Sequence, residues 1–431
     1  MKILVIQCAA LGFEFWEERK SATFWNDLKP RPAKTVFPAV TCSVQASFRT
    51  AAPPSEHGMV ANGFFDPVLR KAMFWEQSSK LYSGARIWES FRSGGGSVGQ
   101  ICWQQSLGTD SDLILSPAPI HKHHGGMIQD FFAKPADLYH NLVAEVGRKF
   151  KLQSYWGPLA SEASTKWIAD ATIELLKSGG AADLQLVYLP HLDYELQKTG
   201  PRSEKAAAAF ATLESALSAL ISEAKTAGYE ILLFGDYAMG SAKGAAYPNK
   251  ILRDAGIMHT RNIAGMAYPD LYTSKAFALC DHQTAFLHFQ EDATPAEIAE
   301  TAKLFDGVEG VRQVLTKESP GEGPAAFADH PRSGSIILEA DEGFWFAYPW
   351  WEDKREAPDY ATHVDIHNKP GYDPCELFAA LWPPFSVSMD TSKIGGTHGD
   401  PRDPVLLASS FDLGDADSII STAAALKAIL S

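Results

Sequence analysis

The sequence predicts an α/β protein: a central, mostly parallel sheet flanked by helices, with a small α+β insertion. Three observations carry this. The runs Ile3–Ala10, Leu184–Leu189 and Tyr229–Phe234 are short and largely apolar, the pattern of strands buried on both faces. Ser164–Leu176 has apolar residues at helical spacing, and Ser203–Gly228 is an alanine-rich amphipathic stretch closed by glycine. Strand, helix and strand in this order imply right-handed crossovers and parallel pairing.

Taken in order, Lys2 and the apolar run to Phe13 look at first like the start of a signal peptide. The run is short and continues into Glu14, Phe15, Trp16 and Glu17, a poor cleavage region. It reads better as a buried first strand interrupted by Gln7. Gly94–Gly96 and Ser319–Ala326 read as loops. The stretch from Ser274 to Val314 reads as strand, helix, then strand-like residues. We therefore expect one domain over residues 1–431 with an insertion at about 270–315.

Composition narrows the classes. Hydrophobic residues make up 45%, charged 21% and aromatic 11%, which fits a globular chain. A formal charge of -14 argues against a nucleic-acid polymer as partner, because that binding needs a basic surface. Apolar stretches fall short of the ~20 residues of a membrane span, so no membrane partner is expected. The five cysteines (Cys8, Cys42, Cys102, Cys280, Cys375) are scattered with no CxxC pair, which reads as free thiols in a reducing, cytoplasmic setting.

Ligands collect at the carboxyl ends of parallel strands. Those places hold Pro190-His191-Leu192-Asp193 and Gly235-Asp236-Tyr237. Thr41 precedes a helical stretch, where a hydroxyl sees the positive end of the helix and free N–H groups; an ordinary helix cap is the competing reading. His121-Lys122-His123-His124, beside Gly125-Gly126, reads as a solvated loop, and Cys42 as a buried small residue. Among the aromatic residues, Phe64 and Trp75 are the candidates for lining a substrate pocket.

The segment Val36-Phe37-Pro38-Ala39-Val40-Thr41, followed by His57-Gly58 and Asn62-Gly63-Phe64-Phe65-Asp66-Pro67, resembles the nucleophile region of the type I phosphodiesterase/nucleotide pyrophosphatase family, a branch of the alkaline-phosphatase superfamily. The resemblance extends to Trp88 and Trp103, to Pro190–Pro201, to Gly235-Asp236-Tyr237-Ala238-Met239-Gly240 and to Gly396-Thr397-His398-Gly399. It implies an alkaline-phosphatase-like fold, Thr41 as nucleophile, and Asn62 as donor to a phosphoryl oxygen. It also implies one or two divalent ions, zinc by preference, held by Asp193, Asp236 and His398. Three positions of the implied ligand set are substituted: Ala9, Gln197 and Tyr237.

Asp365 and His367, alternating on what reads as an extended chain, are candidates to replace those ligands; a pair that fixes the turn at Lys369-Pro370-Gly371 is the equal alternative. Asp281 and His282 read more readily as a polar pair within the insertion. The expected function is metal-assisted hydrolysis of a small-molecule phosphate ester, a phosphodiester or pyrophosphate. The alternative is an altered or inactive member that binds an anionic metabolite or a protein partner.

Overall fold

The computed structural model describes all residues except Gly125, Glu322 and residues 382–384. Among the described residues, an eight-stranded sheet forms the centre, and its middle strands are the apolar runs identified above. Lys2–Cys8 lies between Leu184–Leu189 and Tyr229–Gly235 and is parallel to both. Val98–Ile101 and Leu113–Pro117 continue the parallel array. Antiparallel strands close the edges: Val405–Ser409 followed by Arg31–Ala33 on one side, and Phe131–Lys134 on the other.

The crossover helices form where the apolar spacing placed them. Ala163–Ser178 packs on the Leu184–Leu189 strand and on the long helix Glu204–Thr226. Ser203 starts the long helix by accepting from the Ala206 amide, a side-chain cap that satisfies one free N–H. The helix Thr41–Thr50 packs against Ile419–Leu430 and meets the sheet through Phe48, which stacks on Phe234 at 4.8 Å.

A second sheet has its own core. Ala276–Asp281, Thr284–Phe289, Ile336–Ala340 and Val311–Thr316 pair antiparallel in that spatial order. The helix Pro295–Lys303 lies within it in sequence, opened by a capping box between Thr294 and Glu297. The sheet thus runs past residue 315: Thr316 pairs with Ile336, so the strand after the Ser319–Ala326 loop completes it. Phe277, Phe286, Leu338 and Phe346 are fully buried there, with Phe65 and Phe74 from the Asn62 segment packed among them. The two sheets are therefore joined by the chain that follows Thr41.

Glycine 235 ends its strand where a Cβ would strike the carbonyl oxygen of Leu11. The absence of a side chain lets the Leu11 backbone pass directly over the strand end and fixes where Asp236 begins.

Three buried histidines are held below the ordinary range by burial and, less strongly, by nearby cationic groups. Burial pushes His57 and His288 down to about 3 and His191 to about 4. His288 stacks on Phe65 at 4.9 Å and its Nε2 has no partner. An unfolded histidine protonates near ~6.5, so the folded state holds fewer protons below that pH. The stability that neutral His288 contributes is present above pH ~6.5 and is lost as pH falls toward its folded value. His288→Leu is expected to remove this term. Between pH 6.5 and 5 the wild type should lose about 1 kcal/mol per pH unit more than the variant, approaching ~1.4 at the acid end, read from urea midpoints; parallel pH profiles would refute it.

Candidate active site

Thr41 is the first residue of its helix, and its side chain does not cap that helix. Its Oγ1 lies 3.4 Å from Asp236 Oδ2 and 3.4 Å from the Tyr188 hydroxyl. The hydroxyl is thus turned toward the carboxyl ends of the central strands, where parallel sheets gather ligands.

Asp236 follows the Tyr229–Gly235 strand and is fully buried. Its Oδ1 accepts from the amides of Ala10 and Tyr237, both at 3.0 Å, and its Oδ2 accepts from Gln7 Nε2 at 2.9 Å. Gln7 is the one polar interruption in the first strand, and the parallel register sets it beside Phe234, one strand over from the Asp236 loop. Burial raises the Asp236 carboxyl to about 8 despite these donors.

Asp193 opens the helix His191–Thr199, with Gln197 one turn later on the same face. Gln197 Nε2 donates to Asp193 Oδ2 at 2.6 Å, and the Tyr237 hydroxyl donates to Oδ1 at 2.9 Å. Gln197 Oε1 in turn accepts from the Tyr372 hydroxyl at 2.8 Å. Burial lifts the Asp193 carboxyl to about 6, opposed by the nearby His282 and by those two donors.

His398 donates through Nδ1 to the Ala39 carbonyl at 2.8 Å, leaving Nε2 as the acceptor, 3.8 Å from Asp193 Oδ1. Burial and the neighbouring His282 hold its pKa well below the ordinary histidine range. Its ring is sandwiched. Tyr237 stacks on it at 3.5 Å with planes 2° apart, and His282 lies on the other side at 3.8 Å. Tyr372 stacks on His282 at 3.6 Å and completes a four-ring column.

His282 comes from the second sheet. It sits at the tip of the hairpin between Asp281 and Thr284 with φ of 57°, a left-handed conformation unusual for a residue with a Cβ. Backbone bonds fix it there: the Phe346 amide donates to the His282 carbonyl, and the Gln283 amide to that of His398. Asp281, beside it, accepts from His282 Nδ1 at 2.6 Å, and it also accepts from the Asn62 amide at 2.6 Å. The pair that read as internal to the insertion is therefore part of the wall of this site.

Asn62 Oδ1 accepts from the Cys42 amide in the first turn of the Thr41 helix at 3.0 Å, while its Nδ2 faces Asp281 Oδ1 at 3.4 Å. It ties the helix start to the hairpin. His57 acts nearby as a strut: its Nδ1 accepts from the Met59 amide, which leaves Nε2 to donate to Ser47. Trp75 is half-buried with φ of 60°, its amide bonded to the Asn62 carbonyl. Phe64 is half-buried beneath the Arg332 guanidinium at 5.3 Å.

Asp365 and His367 do not share a face of an extended chain. The segment turns, with the Lys369 amide on the Asp365 carbonyl. The Asp365 carboxylate accepts from Asn368, which ties down the turn without His367. His367 bonds the Phe74 carbonyl at 3.1 Å and meets His121 edge-on at 6.3 Å. No contact joins either residue to Thr41, Asp193, Asp236 or His398. His191 turns away as well, bonded to the Ala209 carbonyl. Among the described residues, no group of three or more His, Cys, Asp and Glu side chains is arranged to hold a metal ion.

Tyr188, Gln7 and Tyr372 enter the site without having been singled out beforehand. Gln7 carried a legible signal, a polar side chain within a doubly buried strand. Tyr188 and Tyr372 carried none, because an aromatic residue in an apolar run reads as core.

Compared with known proteins, the sequence matches the family described as type I phosphodiesterase / nucleotide pyrophosphatase over residues 24–373. The chain belongs to this family of phosphate-ester hydrolases. Solved structures carry the same fold at low identity. Murine ectonucleotide pyrophosphatase/phosphodiesterase 5 (ENPP5) is 17% identical with a TM-score of 0.62, covering 100% of this chain and 95% of that one. Phosphonoacetate hydrolase from Sinorhizobium meliloti 1021, in complex with phosphonoformate, is 14% identical with a TM-score of 0.62, covering 100% and 96%. An inactive variant of murine ENPP5 in complex with AMP is 16% identical with a TM-score of 0.60, covering 100% and 95%. No curated protein matches the sequence. Gln197 and Tyr237, two of the positions read from the sequence motifs as substituted, are the side chains that donate to Asp193.

Tyr237→Phe keeps the ring stack and removes one donor from a buried carboxylate. It is expected to cost about 1–3 kcal/mol of stability, measured by urea unfolding; an unchanged midpoint would show that the bond to Asp193 contributes nothing.

Proposed function

We propose that the chain hydrolyses a phosphodiester of a small organic compound with Thr41 as the attacking hydroxyl. The observation that carries this reading is the position of Thr41 Oγ1 at a helix start, between the Asp236 carboxyl and the Tyr188 hydroxyl at 3.4 Å each. Ionised Asp236 takes the Thr41 proton at Oδ2 as Oγ1 attacks phosphorus, and one ester oxygen leaves and takes a proton from water; the threonine then carries the phosphoryl group with its second ester intact, and water releases it as a monoester while Asp236 returns the proton to Oγ1. The Tyr188 and Tyr237 hydroxyls stay protonated, since burial raises both pKa values well above the ordinary phenol range. The Tyr188 hydroxyl serves as a donor to a developing oxyanion, while that of Tyr237 is committed to Asp193.

The substrate class follows from charge. Among the described residues no lysine or arginine bonds to Thr41, Asn62, Asp193, Asp236 or His398. A singly charged diester suits such a site better than a dianionic monoester. The small phosphorus-containing ligands of the structural neighbours, AMP and phosphonoformate, support a compact substrate.

A divalent ion, zinc by the family resemblance, would need four or so donors at ~2 Å. The residues present do not fit a two-ion centre, because Ala9, Gln197 and Tyr237 supply no strong ligands and the carboxylate oxygens are taken up by N–H and O–H donors. We route no step through a metal.

The same saturation of Asp193 and Asp236 favours a second reading, in which the fold binds an anionic metabolite without turning it over. Assay of bis(4-nitrophenyl) phosphate against 4-nitrophenyl phosphate separates the two. Under the first reading the diester is the better substrate, and Thr41→Ala lowers its turnover at least ~1,000-fold. Retained turnover in that variant would refute Thr41 as nucleophile, and no turnover of either ester by the wild type favours the second reading.

A further inference from the structure

The three substituted family positions are not merely vacant of ligands. Two of them make specific bonds to the residue that a cation would otherwise neutralise. Gln197 and Tyr237 donate to the two oxygens of Asp193 at 2.6 and 2.9 Å. Asp236 receives three further N–H groups, from Gln7, Ala10 and Tyr237, at 2.9 to 3.0 Å. A carboxylate offers about four lone-pair sites; three N–H groups and the Thr41 hydroxyl fill those of Asp236, so an arriving ion would have to displace a donor there, and on Asp193 it would share each oxygen with one.

The histidines are engaged in a different way. Metal bonds form along the in-plane lone pair of an imidazole, at ~2 Å. His398 and His282 instead pack ring against ring at 3.8 Å with planes 39° apart, between Tyr237 at 3.5 Å and Tyr372 at 3.6 Å. His282 Nδ1 is committed to Asp281, and His398 Nδ1 to the Ala39 carbonyl. The column is also closed by hydrogen bonds: Tyr237 to Asp193, Asp193 to Gln197, and Gln197 to Tyr372. Among the described residues, two spacings are compatible with a bridging ion, each with two donors only: Asp193 Oδ1 to His398 Nε2 at 3.8 Å and Thr41 Oγ1 to Asp236 Oδ2 at 3.4 Å. Two donors do not make a site.

We infer that the stacked column Tyr372–His282–His398–Tyr237, with the amides of Gln197 and Gln7, takes the place of cations at these loops, so that the folded chain assembles the Thr41 site with no divalent ion. Packing and neutral donors hold the two carboxyl groups where ionic bonds would hold them in a metal-dependent relative. The inference concerns how the site is built and is independent of which ester, if any, is turned over.

The test uses the full chain, dialysed against zinc or manganese chloride, desalted and assayed for metal by mass spectrometry. Wild type is expected to retain fewer than about 0.1 ion per chain, and a chelator to move its thermal midpoint by less than about 1 °C. The variant Ala9→Asp/Gln197→His/Tyr237→His restores the family's donors. It is expected to retain about one to two ions and to gain several degrees on binding them. If that variant does not fold, the wild-type measurement still decides. Retention of one or more ions per wild-type chain, with a midpoint that falls on chelation, overturns the inference. Loss of that ion in His282→Ala would then identify Asp193, His398 and His282 as its ligands. Neither measurement reads turnover, so this inference and the role of Thr41 fail separately.

Discussion

Two carboxyl groups buried at the ends of the central strands constrain nearly everything around them. A carboxylate removed from water is costly unless hydrogen bonds or opposite charge compensate it. Here the compensation is neutral. Asp236 takes the Gln7 amide from the adjoining strand and two backbone N–H groups from the loops that pass it. Asp193 takes one donor from its own helix and one from the Asp236 loop. The raised pKa values, about 8 and about 6, measure how incompletely neutral donors offset burial. They also explain why the site needs so many donors from so many elements.

The second sheet acquires its purpose from this arrangement. Its own core of Phe277, Phe286, Leu338 and Phe346 makes it rigid, and its hairpin tip delivers Asp281 and His282 to the Thr41 helix. Asp281 grips Asn62, which grips the first turn of the helix through Cys42, while His282 stacks into the column between His398 and Tyr372. Without the hairpin, the helix start and the His398 loop would each lose a wall. A residue held at positive φ in the tip shows that the surrounding contacts override the local preference of the backbone.

Much of the architecture was legible along the chain. Apolar runs without alternation gave the parallel strands, and helical spacing gave the crossovers, because burial on both faces leaves a local pattern that needs no partner to be recognised. Thr41, Asn62, Asp193, Asp236 and His398 were legible through the ordered motifs, and the structure brings all five together. The failures have one cause. Asp365 and His367 were read as sharing a face of an extended chain, and a turn fixed by Asn368 removes that premise. Asp281 and His282 were read inside the insertion, because a hairpin's direction is set by its sheet and not by the residues of its own two strands.

The sequence by itself determined the central strands, the crossover helices and the family, since each depends on local periodicity or on motif order. The tertiary structure alone decided what surrounds the buried carboxyl groups. Gln7, Tyr188, Gln197, Tyr237, His282 and Tyr372 come from separate elements, and hydrogen bonds and ring stacking between them depend on distances of 2.6 to 3.8 Å that arise only once the two sheets have packed. A glutamine or tyrosine in a sequence does not name its partner. Only the folded chain shows that the N–H of Gln197 and the O–H of Tyr237 meet on one buried carboxyl group.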